Sequence, residues 1–314
     1  MTRALITGVT GQDGSYLAEM LLDRGDEVHG VVRSAEEAVT AGVIAHQLDL
    51  AGDGVAKLVK HLRPDVIFNL AAVSSVFQSW EQPAITARLN GLLVADILAV
   101  VRELRDGGHE SRFIQASSAE IFGAPEESPQ DEQTAIRPTS PYGAAKAYAH
   151  GLVGAYRGAA IFASSLILYN HESPRRPDTF VTRKITSAAA RISLGLQDQL
   201  ELGNLEARRD WGWAPDYVAA LVRAAEADRP GDFIIATGVA HSVADFVGLA
   251  FARAGVEDWK QHVNISEALL RTGDAPEQVG DATLARRVLG WAPTRNFDEI
   301  VNAMVDADLA LLRG

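Results

Sequence analysis

Short apolar runs alternate with longer amphipathic stretches through the first half of this 314-residue chain. Five runs have the length and composition of strands: Arg3–Thr7, Glu27–Val32, Val66–Leu70, Arg112–Ala116 and Ala160–Leu168. The stretches between them place apolar residues at helical spacing: Ser15–Arg24, Gly54–His61, Ala84–Leu104 and Tyr142–Tyr156. Continuously apolar strands are typical of sheets that are buried on both faces. The alternation therefore predicts a doubly wound α/β fold, a parallel Rossmann sheet with helices on each side.

The regular alternation ends near residue 169. Residues 170–182, rich in Pro, Arg, Asn and Ser, are typical of a loop. Later elements are predicted further apart: helices at Thr182–Leu194, Pro215–Ala227 and near Asp298–Leu312, and a strand at Phe233–Ala236. We expect a Rossmann domain over 1–169, to which the strand near 233–236 returns, and a smaller, mixed but mostly helical substrate lobe over 170–314.

The chain is acidic and contains no cysteine. Its 29 Lys and Arg against 41 Asp and Glu leave a formal net charge of -12, which disfavours nucleic acid and anionic membranes as partners. The lack of cysteine excludes disulfides, thiolate metal sites and a cysteine nucleophile. The longest apolar run, 91–101, is shorter than the roughly 20 residues of a membrane helix. Because the N-terminus is also unlike a signal peptide, we expect a cytoplasmic protein.

A glycine-rich turn follows the first predicted strand. Its sequence from Gly8 to Gly14 has the spacing Gly-x-x-Gly-x-x-Gly, with Gly11 in the middle and Gln12 and Asp13 after it. Glycines let the turn bend tightly and let the backbone approach a pyrophosphate, while the next helix offers its free N–H groups. Because a strand precedes the turn and a helix follows it, the pattern predicts a dinucleotide-binding site.

Residues after the next strands indicate which dinucleotide binds. Arg33 stands at the end of the second predicted strand, where an arginine suits a 2′-phosphate, so NADP is favoured over NAD. The alternative is a solvent-facing charge. Asp49 and Leu50 follow a short predicted strand, and Asp49 could bind the adenine amine or cap the next helix. Leu70 and Ala71, at the end of the following strand, are assigned to the same cofactor site.

The pair Tyr142-x-x-x-Lys146 is the strongest catalytic pattern. Residues four apart lie on one face of a helix. The lysine ammonium is expected to lower the pKa of the Tyr142 phenol, so that its phenolate can act as a base. Ser140-Pro141 before it is typical of a helix start. An ordinary surface pair is the alternative.

Polar residues also end the strand that begins at Arg112. Ser118 could hydrogen-bond a substrate hydroxyl or carbonyl, and Glu120 lies beyond it as a second proton carrier. The carboxyl end of a parallel strand is where α/β enzymes place their chemistry. The alternatives are a turn residue for Ser118 and a solvated carboxylate for Glu120.

Together the glycine turn, Ser-Ser-Ala-Glu and the Tyr–Lys pair resemble the extended short-chain dehydrogenase/reductase superfamily. Within it, the chain is similar to the GDP-mannose 4,6-dehydratase family over nearly its whole length. Five segments carry this resemblance: Thr7–Glu19, Ser140–His150, Asn170–Arg176, Phe180–Ile185 and Leu202–Gly212. The resemblance implies a Rossmann domain that binds NADP and a lobe that binds a nucleotide sugar.

The resemblance also implies a reaction on GDP-mannose. Tyr142 would remove the proton from the sugar C4 hydroxyl while hydride passes to the nicotinamide, with Lys146 tuning Tyr142 and binding the nicotinamide ribose. Ser118 would hold the C4 oxygen. Glu120 would remove the C5 proton and help the C6 hydroxyl leave as water, and hydride would return to C6. The product is GDP-4-keto-6-deoxymannose, and the chemistry requires neither thiol nor metal.

For the nucleotide sugar, the resemblance points to residues of the second lobe: Asn170, Val181, Lys184, Arg209 and, near a divergent motif, Arg271. Five basic residues against one acid between residues 175 and 191 predict a basic island that attracts a dianionic ligand. After the second strand, the family's longer basic stretch is reduced to residues 34–43, which include Glu36 and Glu37.

Alternative functions remain at this stage. A reductase of a GDP-4-keto-6-deoxy sugar, or a nucleotide-sugar epimerase, would use the same scaffold. A non-catalytic NADP-sensing protein is a further alternative, although such proteins commonly lose the tyrosine or the lysine. The resemblance also implies a homodimer, or a homotetramer, built through the predicted helices 84–104 and 142–156.

Overall fold

The computed structural model describes residues 1–269 and 275–313. The strands of the described chain are β1 (Arg3–Thr7), β2 (Glu27–Val32), β3 (Ile44–Gln47), β4 (Val66–Asn69), β5 (Arg112–Ser118), β6 (Ala163–Leu168), β7 (Asn170–Glu172), β8 (Leu200–Leu202), β9 (Arg208–Trp213), β10 (Asp232–Ile235), β11 (Ala240–Ser242), β12 (Val263–Ile265) and β13 (Glu277–Gln278).

The helices follow the same order. They are α1 (Gln12–Asp23), α2 (Gly54–Leu62), α3 (Val76–Glu81), α4 (Pro83–Ala87), α5 (Leu93–Asp106), α6 (Pro141–Gly158), α7 (Val181–Ser193), α8 (Ala214–Glu226), α9 (Val243–Arg253), α10 (Thr283–Leu289) and α11 (Phe297–Arg313). A π-helical segment, Arg88–Leu92, joins α4 to α5, so the predicted helix at 84–104 is one rod of three segments.

Seven strands form one parallel sheet in the order β10-β6-β5-β4-β1-β2-β3. The chain runs outward from β1 to β3 and then crosses back to β4, which confirms the predicted doubly wound fold. The predicted strand near 233–236 is β10, and it forms an edge of this sheet beside β6.

Alternate residues of the strands face two different helical layers. Ile6 of β1 packs in a core that includes residues of α1, α8 and α10. Its neighbour Leu5 packs in a second core that includes residues of α2, α5 and α6. Both side chains are fully buried, as expected for a sheet that helices cover on both sides.

The remaining elements surround a third core. Helices α7, α9 and α11 pack on one another and on β8 and β9, with Trp211 and Phe246 at the centre. The predicted lobe 170–314 is therefore only partly a separate layer, because α8, β10 and α10 lie with the seven-stranded sheet.

The predicted loop at 170–182 is wrong in its first three residues. Asn170–Glu172 form β7, which pairs in parallel with Trp211–Trp213 of β9. The physical reason is tertiary: a polar Asn-His-Glu sequence has little strand propensity, but the partner strand supplies its hydrogen bonds. Residues so far apart in sequence leave no local pattern.

The rod Pro83–Asp106 is long and apolar enough, by length and composition alone, to cross a membrane. It packs in the helical layer beside the sheet, where Leu93, Ile97 and Val101 are fully buried. Core helices of globular proteins have the same composition, so this rod is explained by the fold.

Candidate active site

The carboxyl ends of β1, β2, β4 and β5 form one edge of the sheet, and the predicted cofactor and catalytic residues lie along that edge. The chain reverses its winding direction between β1 and β4. In doubly wound folds, such a switch point opens a crevice in which ligands bind.

The glycine turn is packed so tightly that side chains do not fit. A Cβ at Gly14 would lie 2.1 Å from the carbonyl oxygen of Gly8, and one at Gly8 would lie 2.9 Å from the backbone nitrogen of Ala71. Gly8 also has φ +74°, a conformation that favours glycine. The helix follows the turn as predicted, but it begins at Gln12, three residues before the predicted start at Ser15.

This turn fits a pyrophosphate. Gly11 is the N-cap of α1, and no side chain there bonds the first turn of the helix. The N–H groups and the positive end of the helix dipole are therefore directed toward the crevice, as an anion requires. Thr7 Oγ1 accepts from the backbone nitrogens of Leu70 at 3.2 Å and Ala71 at 3.1 Å, which holds the end of β4 beside the turn.

Gln12 and Asp13 join the cofactor turn to the second lobe. Gln12 Nε2 donates to the His171 carbonyl at 3.1 Å, and its Oε1 accepts from Ser173 Oγ at 2.8 Å. Asp13 Oδ2 lies 2.9 Å from His171 Nε2. No sequence pattern singles out His171 or Ser173, because only tertiary structure brings residues about 160 positions apart into contact.

Asp13 and His171 form a largely buried ion pair, with side chains 20% and 11% exposed. Burial alone would lower the pKa of His171, but the Asp13 carboxylate outweighs it and the pKa is raised. Burial would likewise raise the pKa of Asp13, but His171 outweighs it and the pKa is lowered. The Arg176 guanidinium acts against the charge on His171 and in favour of the charge on Asp13.

Helix α6 delivers Tyr142 and Lys146 to the end of β5. Ser140 is the N-cap and accepts from the Gly143 backbone nitrogen at 3.0 Å, as the Ser-Pro start predicted. A Cβ at Gly143 would lie 2.5 Å from the Glu120 carbonyl oxygen. Gly143 therefore lets Tyr142 approach the Ser118–Glu120 segment, a role that the Tyr-x-x-x-Lys pattern does not reveal.

The expected lowering of the Tyr142 pKa is wrong in this structure. Burial raises the pKa of Tyr142 to about 12, although a hydrogen bond with Ser118 and the charge of Arg176 act in the lowering direction. Lys146 Nζ donates to the Ala116 carbonyl at 2.8 Å and lies 5.8 Å from the centre of the tyrosine ring. The ammonium is thus directed at β5, and burial lowers its own pKa to about 8.

Ser118 and Glu120 lie in a turn that closes β5. Ser118 Oγ accepts from the Glu120 backbone nitrogen at 3.2 Å and also hydrogen-bonds Tyr142. The Glu120 carboxylate acts on Tyr142 through its charge, in the direction that raises the phenol pKa. The structure therefore brings Ser118, Glu120, Tyr142 and Lys146 together as predicted.

The residues expected at the adenosine end lie at the surface. Arg33 follows β2 and pairs with Glu37: Arg33 Nη2 lies 2.8 Å from Glu37 Oε1. Asp49 Oδ1 accepts from the Ala51 backbone nitrogen at 2.9 Å, while Leu50 beside it is half-buried. The predicted alternative of a helix cap is wrong for Asp49, because the N-cap of α2 is Asp53.

The residues assigned to the nucleotide sugar are spread over several elements. Asn170 opens β7 and Val181 opens α7. Lys184 lines a groove of about 370 Å³ and donates to the Glu201 carbonyl at 2.6 Å. Arg209 is buried and donates to the Ala275 carbonyl at 2.9 Å. Arg271, also predicted here, lies outside the described residues.

The predicted basic island is largely compensated by acids from elsewhere in the chain. Arg175 pairs with Glu19 at 2.8 Å, Arg176 lies 3.4 Å from Glu172, and Arg183 pairs with Asp308. None of these three acids lies between residues 175 and 191. Since the compensating acids include residues of α1 and α11, the local positive field is weaker than the sequence indicates.

Fold and site together define an NAD(P)-dependent enzyme of the extended short-chain dehydrogenase/reductase superfamily. A family model described as GDP-mannose 4,6 dehydratase matches residues 5–304. The chain belongs to this family.

Relatives support this placement. GDP-mannose 4,6 dehydratase 2 of Arabidopsis thaliana is 42% identical over 328 residues, which cover 99% of this chain and 87% of the plant protein. The human GDP-mannose 4,6 dehydratase is 41% identical, and the alignment covers 99% of this chain and 92% of the human protein. The UDP-glucose 4-epimerase of Thermus thermophilus, solved with NAD, superimposes with a TM-score of 0.85 at 28% identity over 98% of each chain.

The Asp13–His171 pair makes stability depend on pH. Because the folded pKa of His171 lies above its unfolded value of about 6.5, the stabilisation is complete below that value and is lost as pH rises through the folded pKa. We expect the loss of unfolding free energy in His171→Gln to be larger at pH 6 than at pH 9, measured by urea denaturation. His61→Gln, at an exposed position, is the control; a loss independent of pH would contradict the pair.

Proposed function

We propose that this protein is an NADP-dependent GDP-mannose 4,6-dehydratase, a hydro-lyase that converts GDP-mannose to GDP-4-keto-6-deoxymannose. The family match over residues 5–304 supports the substrate class. The observation that carries the reaction type is the contact of Tyr142 with Ser118, with the Glu120 carboxylate next to them. A hydroxyl-binding group, a phenol and a carboxylate are the three proton-handling groups that such an elimination requires.

The first step places the sugar C4 hydroxyl against Ser118 and Tyr142. Ser118 donates a hydrogen bond to the C4 oxygen, and Tyr142 accepts the proton of the C4 hydroxyl. Because burial raises the pKa of the phenol, proton removal requires positive charge near it; the charge of Arg176 acts in that direction, and Lys146 Nζ lies 5.8 Å from the ring centre. A bound nicotinamide would accept the hydride from C4 in this first step and would donate it in the last step.

Glu120 performs the elimination. A ketone at C4 acidifies the C5 proton, which the Glu120 carboxylate removes. The resulting acid protonates the departing C6 hydroxyl, so water leaves and a C5–C6 double bond forms. Return of hydride from the bound nicotinamide to C6, and of a proton to C5 in place of the one that Tyr142 took from the C4 hydroxyl, would complete the product without net oxidation or reduction.

The remaining predicted residues take binding roles in this proposal. Gly8, Gly11, Gly14 and the turn residues Gln12 and Asp13 hold the pyrophosphate region. Leu70 and Ala71 lie beside that region, Asp49 and Leu50 lie toward adenine, and Arg33 meets the 2′-phosphate of NADP. For the nucleotide diphosphate we propose Asn170, Val181, Lys184, Arg209 and Arg271.

The direct test is incubation with GDP-mannose and catalytic NADP⁺ in D₂O, without reductant. We expect a GDP-linked 4-keto-6-deoxy sugar that carries one deuterium at C5, detected by NMR and mass spectrometry. No accumulation of NADPH should accompany turnover. Recovery of GDP-mannose with an inverted C4 centre would indicate an epimerase, and stoichiometric use of NADPH by a 4-keto sugar would indicate a reductase; either result overturns the proposal.

Glu120→Gln tests the role of the carboxylate. We expect kcat to fall by about 100-fold or more, because the amide cannot remove the C5 proton, while the Kd for the cofactor is unchanged. Stopped assays of the ketone product and isothermal titration measure the two quantities. Glu126→Gln, whose side chain is 89% exposed, is the matched control, and unchanged turnover in Glu120→Gln would remove Glu120 from the mechanism.

We also propose that the protein forms a homodimer through α5, α6 and the segment before α5. Ile85, Leu92 and Tyr148 are 45%, 43% and 48% exposed on these elements. A Cβ at Gly91 would lie 3.2 Å from the Tyr148 ring, so the two helices present one continuous surface. Clustered apolar exposure of this kind is typical of protein interfaces.

Leu92→Arg should separate the dimer, because it places a charge in the apolar contact. We expect light scattering to give the mass of one chain for this variant and of two chains for the native protein. Ile265→Arg, at a similarly exposed apolar residue of the other lobe, should leave the mass unchanged. A native mass of four chains would indicate the tetramer, and a native mass of one chain would contradict the proposal.

A further inference from the structure

A carboxylate stands between β2 and the glycine turn. Glu37 Oε1 accepts from Arg33 Nε at 2.9 Å and lies 2.8 Å from Arg33 Nη2. Its Oε2 accepts from the Arg33 backbone nitrogen at 3.2 Å and lies 3.5 Å from Thr10 Oγ1. Thr10 belongs to the turn between Gly8 and Gly11, so the Glu37 side chain bridges the end of β2 and the proposed pyrophosphate site.

The end of the second strand has a known role in dinucleotide-binding folds. The group at the end of the second strand faces the ribose of the adenosine, where an acid binds the 2′-hydroxyl and an arginine accommodates a 2′-phosphate. Arg33 and Glu37 are one group of each kind at the same place. The side chain of Glu37 is only 20% exposed whereas that of Arg33 is 78% exposed, so the acid lies deeper than the base.

The carboxylate keeps its charge. Burial acts to raise the pKa of Glu37, but the hydrogen bonds and charge of Arg33 outweigh it and the pKa is lowered. A phosphate that reached Arg33 would therefore break the ion pair in which two guanidinium nitrogens contact one carboxylate oxygen, and it would face an ionised carboxylate. The chain has no other Lys or Arg from residue 34 to residue 56, so this segment supplies no second cation to offset the repulsion.

We infer that Glu37 is a specificity-determining residue that weakens the binding of 2′-phosphorylated dinucleotides, so that this enzyme binds NAD⁺ as well as NADP⁺. The inference deepens the proposed function and rests on its cofactor site. Glu37 discriminates by repelling the 2′-phosphate of NADP⁺ as much as by attracting the ribose hydroxyl of NAD⁺. Repulsion of one of two similar ligands is a common route to discrimination between them. With NAD⁺, the carboxylate accepts hydrogen bonds from the ribose hydroxyl, and Arg33 remains paired.

Isothermal titration of the purified protein with NAD⁺ and with NADP⁺, in the absence of sugar nucleotide, tests this inference. We expect the two Kd values of the native protein to lie within about tenfold of each other. Glu37→Gln should lower the Kd for NADP⁺ by about tenfold or more and leave that for NAD⁺ unchanged or raised. This gain in NADP⁺ affinity should disappear in the double variant that also carries Arg33→Ala, because the guanidinium freed from Glu37 is the source of the gain.

Glu36→Gln is the matched control, because it removes the same charge from the neighbouring, exposed position. It should change neither Kd by more than about threefold. The inference is overturned if Glu37→Gln affects NADP⁺ no more than the control does, or if the native protein prefers either dinucleotide by more than about tenfold. Near-ultraviolet circular dichroism verifies that each variant is folded.

The outcomes separate this inference from the proposed function. Dehydration of GDP-mannose with an unchanged NADP⁺ affinity in Glu37→Gln would remove the role of Glu37 alone. Failure of both dinucleotides to bind would remove the cofactor site and, with it, the proposed dehydratase. Tight binding of both without dehydration would leave the inference intact and overturn the reaction.

Discussion

The close approach of α1 to the end of β1 is the constraint on which the rest of the site depends. The Gly14 position has no room for a Cβ because the Gly8 carbonyl oxygen would lie 2.1 Å away. This contact sets the amino end of the helix at the edge of the sheet. Only from this position can Gln12 and Asp13, in the first turn of the helix, reach His171 and Ser173 of the second lobe.

The same principle of close backbone approach builds the catalytic end of the site. Gly143 brings α6 within contact of the Glu120 carbonyl, and Ser118 ends β5 beside the Tyr142 phenol. Both contacts join a helix start to a strand end, which are the two kinds of position where α/β proteins leave polar groups for ligands. The chemistry is thus placed by rigid elements more than by loops.

Local patterns predicted much of this architecture. The bounds of β1 and β2 agree with the apolar runs, and Ser140-Pro141 marks the start of α6. The sequence could not predict β7, because its residues form a strand by pairing with the distant β9. Nor could it predict the compensation of Arg175 by Glu19, or that Lys146 turns to the Ala116 carbonyl. Each of these depends on a partner distant in sequence.

The return of the chain to the sheet has a consequence for how the molecule can be divided. Helix α8 covers one face of the sheet and β10 completes the edge beside β6, although both follow residue 169. A fragment that ended there would leave β6 as an unpaired edge, a template for intermolecular association, and would uncover apolar side chains that α8 now shields. The seven-stranded sheet is therefore completed by segments on both sides of residue 169, and we expect that limited proteolysis there would not release an autonomous amino-terminal half.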